Sequence, residues 1–294
     1  MNKLVGFGLG FSALAFARAL AGQGFAVAGT ARSAEKARAL EREGFAMTVF
    51  DSAGPLEDAE GFLGGATHLL DSIPPGRDSV CPPLDWHSAD IARMEDIAWI
   101  GYLSTTGVYG DHGGDWVDEA TVPLPDLERS ARRLEAEQNW LVMHERYGLP
   151  VHVFRLAGIY GPGRGVLQQV LDGRARRVVK PGQVFSRIHV DDIVAVLRAS
   201  IARPNPGAIY NVCDDEPEAP DEVVRHACEL LGREPPPPVP WEEAGLSEMA
   251  RSFYADNKRV RNDRIRNELG VVLKYPSYRQ GLAADVAALG ARAG

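Results

Sequence analysis

The chain has 294 residues, with 32 basic against 40 acidic side chains and a net charge of −8, and 45% of its residues are hydrophobic. This composition is typical of a globular protein with a full-sized core, and the acidic balance argues against non-specific nucleic-acid binding, which needs a surplus of Lys and Arg. No stretch of the sequence approaches the roughly 20 apolar residues of a membrane span.

The three cysteines are far apart and odd in number, which argues against a disulfide framework and offers no metal-binding Cys-x-x-Cys pair. We expect reduced thiols in a cytoplasmic protein. The N-terminal stretch Leu4–Ala17 superficially resembles a signal peptide, but Gly6, Gly8 and Gly10 interrupt the apolar run and a regular helix–strand pattern follows it. The sequence therefore favours the cytoplasm over secretion.

Short apolar runs alternate with helical stretches over the first two thirds of the chain. We predict strands at Leu4–Phe7, Phe25–Gly29, Ala46–Phe50, Thr67–Leu70, Ile97–Leu103 and Pro150–Arg155. We predict helices at Ser12–Gln23, Ser33–Glu43 and Asp126–Tyr147. Apolar strands that alternate with helices are buried on both faces of a sheet. The pattern therefore predicts an α/β fold with a doubly wound parallel sheet, which has helices on both faces.

The composition changes after Leu156, where Gly, Pro and Arg become frequent. A helix at Asp192–Ala202 and a strand at Ala208–Val212 are expected to return to the sheet. The four prolines Pro235–Pro238 form a linker that is too stiff for a helix or an inner strand. We predict a nucleotide-binding domain over residues 1–160, with returns at 189–213, and a smaller, discontinuous C-terminal substrate lobe over residues 161–188 and 214–294.

A glycine-rich turn joins the first predicted strand to the first helix and reads Gly8-x-Gly10-x-x-Ala13. Gly8 permits a tight turn, Gly10 lets the backbone approach a pyrophosphate, and Ala13 lets helix and strand pack closely. The helix N-terminus, at Phe11 and Ser12, supplies N–H groups and a partial positive charge to the phosphates. We predict a dinucleotide site at these five residues; the alternative is a small-residue corner that holds no ligand.

The end of the second strand bears on the choice between NAD and NADP. An acidic residue there would accept hydrogen bonds from the ribose of NAD, but the sequence carries Arg32 and no carboxylate. Arg32 can bind a 2′-phosphate with help from the hydroxyls of Thr30 and Ser33, which favours NADP over NAD. Asp51, after the third strand, either accepts from the adenine amino group or caps a turn.

Two further strand ends carry candidate site residues. Ser72, Ile73 and Pro74 follow the fourth strand, and their backbone is expected to pass near the nicotinamide ribose. The preceding Asp71 is expected to cap this turn rather than to act as a base.

Ser104 and Thr105 end the fifth strand, where ligands collect in such sheets and where a hydroxyl can bond a substrate carbonyl. Tyr109 lies in the loop that follows and either donates a proton or only walls the site. We take Ser104, Thr105 and Tyr109 as the candidate catalytic residues.

Several sequence blocks resemble the NAD(P)-dependent epimerase/dehydratase family, the extended branch of the short-chain dehydrogenase/reductase superfamily. The blocks are Ser104–Gly110, Arg155–Arg164, Arg187–Asp192 and Tyr210–Val212, in order along the chain. The resemblance implies a Rossmann domain with a small substrate lobe, usually acting on nucleotide sugars. It also implies a homodimer formed through the two long helices that flank the sheet.

The sequence departs from this family at the catalytic pair. The family uses Tyr-x-x-x-Lys on the long helix, and alignment on Glu137 places Arg129 and Arg133 at those two positions. Arginine stays protonated near neutral pH and cannot replace a phenol as a proton shuttle. Phe7 also stands where the family's first glycine is expected. Two functions remain open: an NADP-dependent oxidoreductase or epimerase on a sugar-like or nucleotide-linked substrate, or a non-catalytic NADP-binding sensor or scaffold.

Two charged groups offer weaker indications. His189, Asp191 and Asp192 suggest a metal, but we expect the two acids to cap a helix, and we predict no metal site. The basic cluster, defined as Arg174, Arg176, Arg177 and Lys180, either meets a phosphate-bearing small-molecule substrate or is solvated.

Overall fold

The computed structural model describes residues 1–76 and 78–293. The chain divides into two compact units. The first unit comprises Met1–Thr105, Glu128–Arg155 and Val196–Tyr210, and the second comprises Thr106–Leu127, Leu156–Ala195 and the described residues from Asn211 onward.

The described residues form thirteen strands and eleven α-helices. The strands are β1 (Lys3–Phe7), β2 (Ala26–Ala31), β3 (Ala46–Val49), β4 (His68–Asp71), β5 (Trp99–Thr105), β6 (Trp116–Val117), β7 (Val151–Leu156), β8 (Gly158–Tyr160), β9 (Arg177–Val179), β10 (Arg187–His189), β11 (Ile209–Val212), β12 (Pro238–Pro240) and β13 (Arg259–Val260). The helices are α1 (Phe11–Ala21), α2 (Ala34–Glu41), α3 (Ala59–Leu63), α4 (Pro82–Ala92), α5 (Glu128–Tyr147), α6 (Val166–Leu171), α7 (Val190–Ala202), α8 (Pro220–Leu230), α9 (Glu248–Phe253), α10 (Asp263–Asn267) and α11 (Tyr278–Ala293), with a 3-10 turn at Thr106–Tyr109.

Seven strands form one sheet in the order β11-β7-β5-β4-β1-β2-β3. The pairs β1–β2, β1–β4, β2–β3 and β4–β5 are parallel, so the carboxyl ends of these five strands meet at one edge. The predicted α/β fold with a doubly wound Rossmann-type sheet is confirmed. Every one of the six strands predicted before Leu156 is present, with bounds shifted by a few residues.

Each unit has its own apolar core. In the first unit, residues from the sheet and from α4 and α5 pack together, among them Val5, Phe7, Ile91, Trp140 and Val153. In the second unit, α6, α8 and α11 bury a cluster that includes Leu167, Val224 and Leu282. Among the described helices, none is both long enough and apolar enough to cross a lipid bilayer.

The units divide the chain differently from the predicted domains. Residues 106–127 were expected in the nucleotide-binding domain, but they belong to the second unit, where β6 pairs in parallel with β13. Helix α4 was not predicted, and Pro82 and Pro83 stand in its first turn. Proline is tolerated in the first turn of a helix, since the N–H groups there have no partner within the helix, and α4 begins on these two residues.

Candidate functional site

The turn after β1 is held by residues at the ends of two neighbouring strands. The Gly8 N–H donates to Thr30 Oγ1 at 2.8 Å, and the Gly8 carbonyl accepts from Ser72 Oγ. Gly8 has φ of 78°, and a Cβ there would lie 2.8 Å from Ile73 Cγ1. Both the backbone conformation and the contact with Ile73 therefore require glycine at this position. Side chains at the ends of β2 and β4 thus fix the shape of the turn.

The start of α1 fits an anionic group. Gly10 is the N-cap, its φ of −82° is open to any residue, and a Cβ there would meet only the Gly8 oxygen, at 3.9 Å. Ser12 Oγ is buried and has no hydrogen-bond partner among the described residues. A ligand oxygen at the helix N-terminus would satisfy such a donor and would interact favourably with the helix dipole. The residues present therefore fit the phosphates of a dinucleotide.

The Phe7 ring points into the core and does not fill the turn. Phe7 is fully buried in the core, where its ring lies edge-on to Phe50 at 5.8 Å and to Phe62 at 5.4 Å. Phe11 is half-buried at the first residue of α1, and Ala13 is buried against the sheet. Phe7, at the position of the family's first glycine, therefore strengthens the core and leaves the turn open.

The residues after β2 and β3 have distinct environments. Thr30 is fully buried, and its hydroxyl accepts from the Gly8 N–H, so it shapes the turn instead of reaching a ligand as expected. Arg32 is exposed and forms no ion pair within the described chain. Ser33 caps α2 by accepting from the Lys36 N–H at 3.3 Å. Asp51 is exposed and accepts from the Ala53 N–H at 2.9 Å, as a turn cap does.

Asp71 ends β4 and is completely buried. Its carboxylate accepts from the Ile73 N–H at 2.9 Å and from Trp140 Nε1 at 3.0 Å, so it caps the turn that places Ser72, Ile73 and the exposed Pro74. Burial in the core raises the pKa of Asp71 to about 6, although these hydrogen bonds and the charge of Arg133 act in the opposite direction. The expectation of a turn cap agrees with these contacts.

We expect the stability of the protein to depend on Asp71 between pH 4 and 7. The unfolded carboxyl ionises near pH 3.9, whereas the folded one ionises near pH 6. The stabilisation by the folded protonated form is therefore complete below pH 4 and is lost as the pH rises through 6, by about 3 kcal/mol in total. Carbon-13 NMR of labelled aspartate should show one carboxyl titrating near pH 6 that is missing in Asp71→Asn; a midpoint near 4 would contradict this.

A buried ion pair that the sequence did not predict joins α5 and β7 next to the end of β5. Glu137 on α5 accepts two hydrogen bonds from Arg155 on β7, with Nη2 to Oε2 at 2.8 Å, and both side chains are at least 97% buried. Ser104 Oγ also donates to Glu137 Oε1. The Ser104 hydroxyl is therefore engaged in the core, a contact that the expectation of a substrate-facing hydroxyl did not include. An arginine within the largely apolar segment Val151–Leu156 was the available sequence signal.

The remaining catalytic candidates differ in exposure. Thr105 is half-buried at the last position of β5. Tyr109 is fully buried within the second unit, and its hydroxyl donates to Asn211 Oδ1 at 2.8 Å, which agrees with a structural role. Arg133, on α5, donates to the Leu103 carbonyl at 2.8 Å.

Asp192 is bound by backbone groups of a distant segment. The carboxylate of Asp192 accepts from the backbone N–H groups of Lys274 at 2.7 Å and Tyr275 at 3.0 Å, so it does not cap its own helix as expected, because α7 begins two residues earlier. Within the described chain there is no group of three or more His, Cys, Asp or Glu residues arranged to hold a metal ion.

The basic cluster is engaged within the second unit. Arg174 pairs with Asp172, and Arg177 lies 3.9 Å from Asp221. The Lys180 ammonium lies 5.1 Å from the ring centre of Trp241. These contacts agree better with a structural role than with a phosphate-binding surface.

Comparisons with known proteins find a family model, a sequence relative and similar solved structures. Residues 88–213 match the model of the NAD dependent epimerase/dehydratase family. The chain is 27% identical over 289 residues to Protein YeeZ of Escherichia coli K12, an alignment that covers 94% of this chain and 97% of that protein. A functionally unknown conserved protein from Silicibacter pomeroyi DSS superposes with a TM-score of 0.90 at 50% identity, over 98% of this chain and 99% of that one. The NAD complex of dTDP-glucose 4,6-dehydratase from Bacillus anthracis superposes with a TM-score of 0.80 at 18% identity, over 99% and 97%.

Proposed function

We propose that this chain, whose residues 88–213 match the model of the NAD dependent epimerase/dehydratase family, binds NADP at the Gly8–Ala13 turn and transfers hydride between this cofactor and a sugar-like or nucleotide-linked substrate. The observation that carries the proposal is the turn itself. Hydrogen bonds with Thr30 and Ser72 fix its shape. There is free space at the N-cap residue Gly10, and the nearby buried Ser12 hydroxyl has no hydrogen-bond partner among the described residues.

The bound nicotinamide supplies the hydride chemistry, and the protein supplies binding and orientation. Gly10 and the first turn of α1 would hold the pyrophosphate through backbone N–H groups. Ser72 and Ile73, which the Asp71 cap and the contact with Gly8 fix in place, would lie beside the nicotinamide ribose. Thr105 at the end of β5 donates a hydrogen bond to a substrate carbonyl.

Arg32 sets the preference for NADP in this proposal. Its guanidinium is exposed at the end of β2, next to the helix cap Ser33, and can form two charged hydrogen bonds to a 2′-phosphate. We expect Arg32→Glu to weaken NADPH binding at least about 10- to 100-fold, since the loss of even one charged hydrogen bond costs about 1.5–3 kcal/mol, and to leave NADH binding nearly unchanged. The two affinities are measured by fluorescence titration.

Arg38→Glu provides the matched control for this experiment. It makes the same change in net charge, but Arg38 lies in the last turn of α2 and is exposed. It should leave both affinities unchanged. Equal losses for NADPH and NADH in Arg32→Glu would refute the assignment of Arg32.

Turnover is tested by following NADPH oxidation with a panel of keto sugars linked to nucleotides. The oxidoreductase proposal expects turnover with at least one member and expects Thr105→Val to lower kcat while the NADPH affinity stays constant. A loss of NADPH affinity in Thr105→Val would indicate a role in cofactor binding only.

A non-catalytic NADP-binding sensor or scaffold is the second candidate. It is favoured by the environment of the tyrosines: Tyr102 and Tyr109 are both fully buried, and burial raises the pKa of Tyr102 well above its usual range. The expected placement of Arg129 and Arg133 at the family's catalytic pair supports it further, because arginine supplies no phenol. Tight NADPH binding without turnover on the whole panel would support this candidate over the enzyme.

The small-molecule substrate, the assembly and the location are parts of the same proposal. A homodimer formed through α4 and α5 is supported by the exposed apolar side chains of Trp86, Val142 and Tyr147 on these helices. The three free cysteines support a cytoplasmic location, where thiols stay reduced.

A further inference from the structure

The second unit contains a cavity of about 290 Å³ that the proposed cofactor site does not use. Helices α6 and α11 form two of its walls, and the glycine-containing segment after β8 forms the third. Its apolar lining consists of Pro162, Leu167, Leu171, Ala288 and Leu289. The volume lies just below the range for drug-sized ligands, which begins at about 300 Å³, so the cavity suits a smaller molecule.

A single carboxylate faces this apolar lining. Asp285 is 8% exposed, and its Oδ1 lies 3.3 Å from His189 Nε2. The Asp191 N–H donates to His189 Nδ1 at 3.1 Å, so the ring proton is on Nε2 and is donated to Asp285. Asp285 Oδ2 accepts a hydrogen bond from no residue in the described chain. One oxygen of a nearly buried carboxylate is therefore left for a ligand.

Gln168 offers a second acceptor at the same cavity. Its amide nitrogen donates to Asp172 Oδ1 at 2.7 Å, and a carboxylate accepts only, so this contact fixes the orientation of the amide. The Gln168 amide oxygen is therefore the group that remains to accept a hydrogen bond. Within the described lining of the cavity there is no Lys or Arg to neutralise Asp285.

We propose that this cavity binds a small primary ammonium ion with an apolar body. A carboxylate in apolar surroundings is costly unless a cation pairs with it, and an ammonium group brings donors alone. Two acceptors and one uncompensated negative charge match that group, and the leucine walls match an alkyl chain. An acid would be repelled by Asp285, and a neutral alcohol would leave its charge unpaired.

The test is calorimetric titration of the full chain with hexylammonium chloride at pH 7.5. We expect one saturable site, with affinity at least about tenfold weaker for hexan-1-ol and at least about tenfold weaker in Asp285→Asn, because a charged hydrogen bond is lost in both cases. Asparagine keeps an oxygen that accepts from His189, so the variant should retain its fold and its melting temperature.

A second pair of variants separates loss of the cavity from loss of the fold. Ala288 lines the cavity, whereas its neighbour Ala287 is exposed on α11 outside the lining. Ala288→Trp should abolish binding of hexylammonium, and Ala287→Trp should leave it unchanged. No saturable heat at millimolar amine, or equal affinities for the amine and the alcohol, would overturn the proposal. Neither readout involves the cofactor, so failure here leaves the proposed function standing.

Discussion

Arg155→Met should lower the free energy of unfolding by about 3–5 kcal/mol, because it leaves a buried carboxylate without its partner. Glu137 is 1% exposed and accepts from Arg155 through both carboxylate oxygens, and Ser104 Oγ donates to the same group. Methionine fills much of the space of arginine but brings neither charge nor donors. The measurement is urea unfolding at pH 7 followed by circular dichroism.

Two controls make the result specific to the buried pair. Adding Glu137→Met to Arg155→Met should recover a large part of the lost stability, since the double variant buries no charge. Arg18→Met removes an ion pair with Glu43 whose side chains are 55% and 37% exposed, so solvent screens it and the change in stability should be small. If Arg155→Met lowers the free energy of unfolding no more than Arg18→Met does, the stabilising role of the buried pair is contradicted.

Gly10→Val should weaken NADPH binding about 100-fold or more, which corresponds to about 2.7 kcal/mol, without unfolding the protein. The backbone of Gly10 suits any residue, and a Cβ there would have only the Gly8 oxygen within 4 Å. The added side chain therefore occupies the space in front of α1 where the pyrophosphate is proposed to lie. Fluorescence titration gives the affinity, and thermal unfolding reports on the fold.

Gly8→Ala is the matched variant, and it is expected to destabilise the fold itself. Its φ of 78° and the 2.8 Å distance from the added Cβ to Ile73 Cγ1 make the substitution strained in the protein alone. It should lower the melting temperature, whereas Gly10→Val should not. If Gly10→Val binds NADPH as well as the wild-type protein, the pyrophosphate does not lie at this turn.

Local patterns in the sequence were sufficient for the parts of the site that depend on neighbouring residues. The strand–turn–helix at Gly8–Ala13, the helix cap at Ser33 and the turn cap at Asp71 each involve groups only a few residues apart. Capping and turn preferences act over that distance, so the residue types alone predict these features.

Contacts between distant residues could not be predicted in this way. The partner of Glu137 lies 18 residues away on another element, and Ser104, which donates to it, lies 33 residues away. Thr30 was expected to face a ligand because it lies near Arg32, but the pleat of β2 turns it inward to Gly8. The two-residue strands β6 and β13 are too short to carry a periodic pattern, which is why residues 106–127 were placed in the wrong unit.

Calorimetric titration of the wild-type protein with NADPH and NADH tests the central claim most directly. The account predicts one saturable site per chain for NADPH, weaker binding of NADH, and a rise in melting temperature with bound dinucleotide. Absence of heat and of any change in melting temperature with both dinucleotides would contradict it.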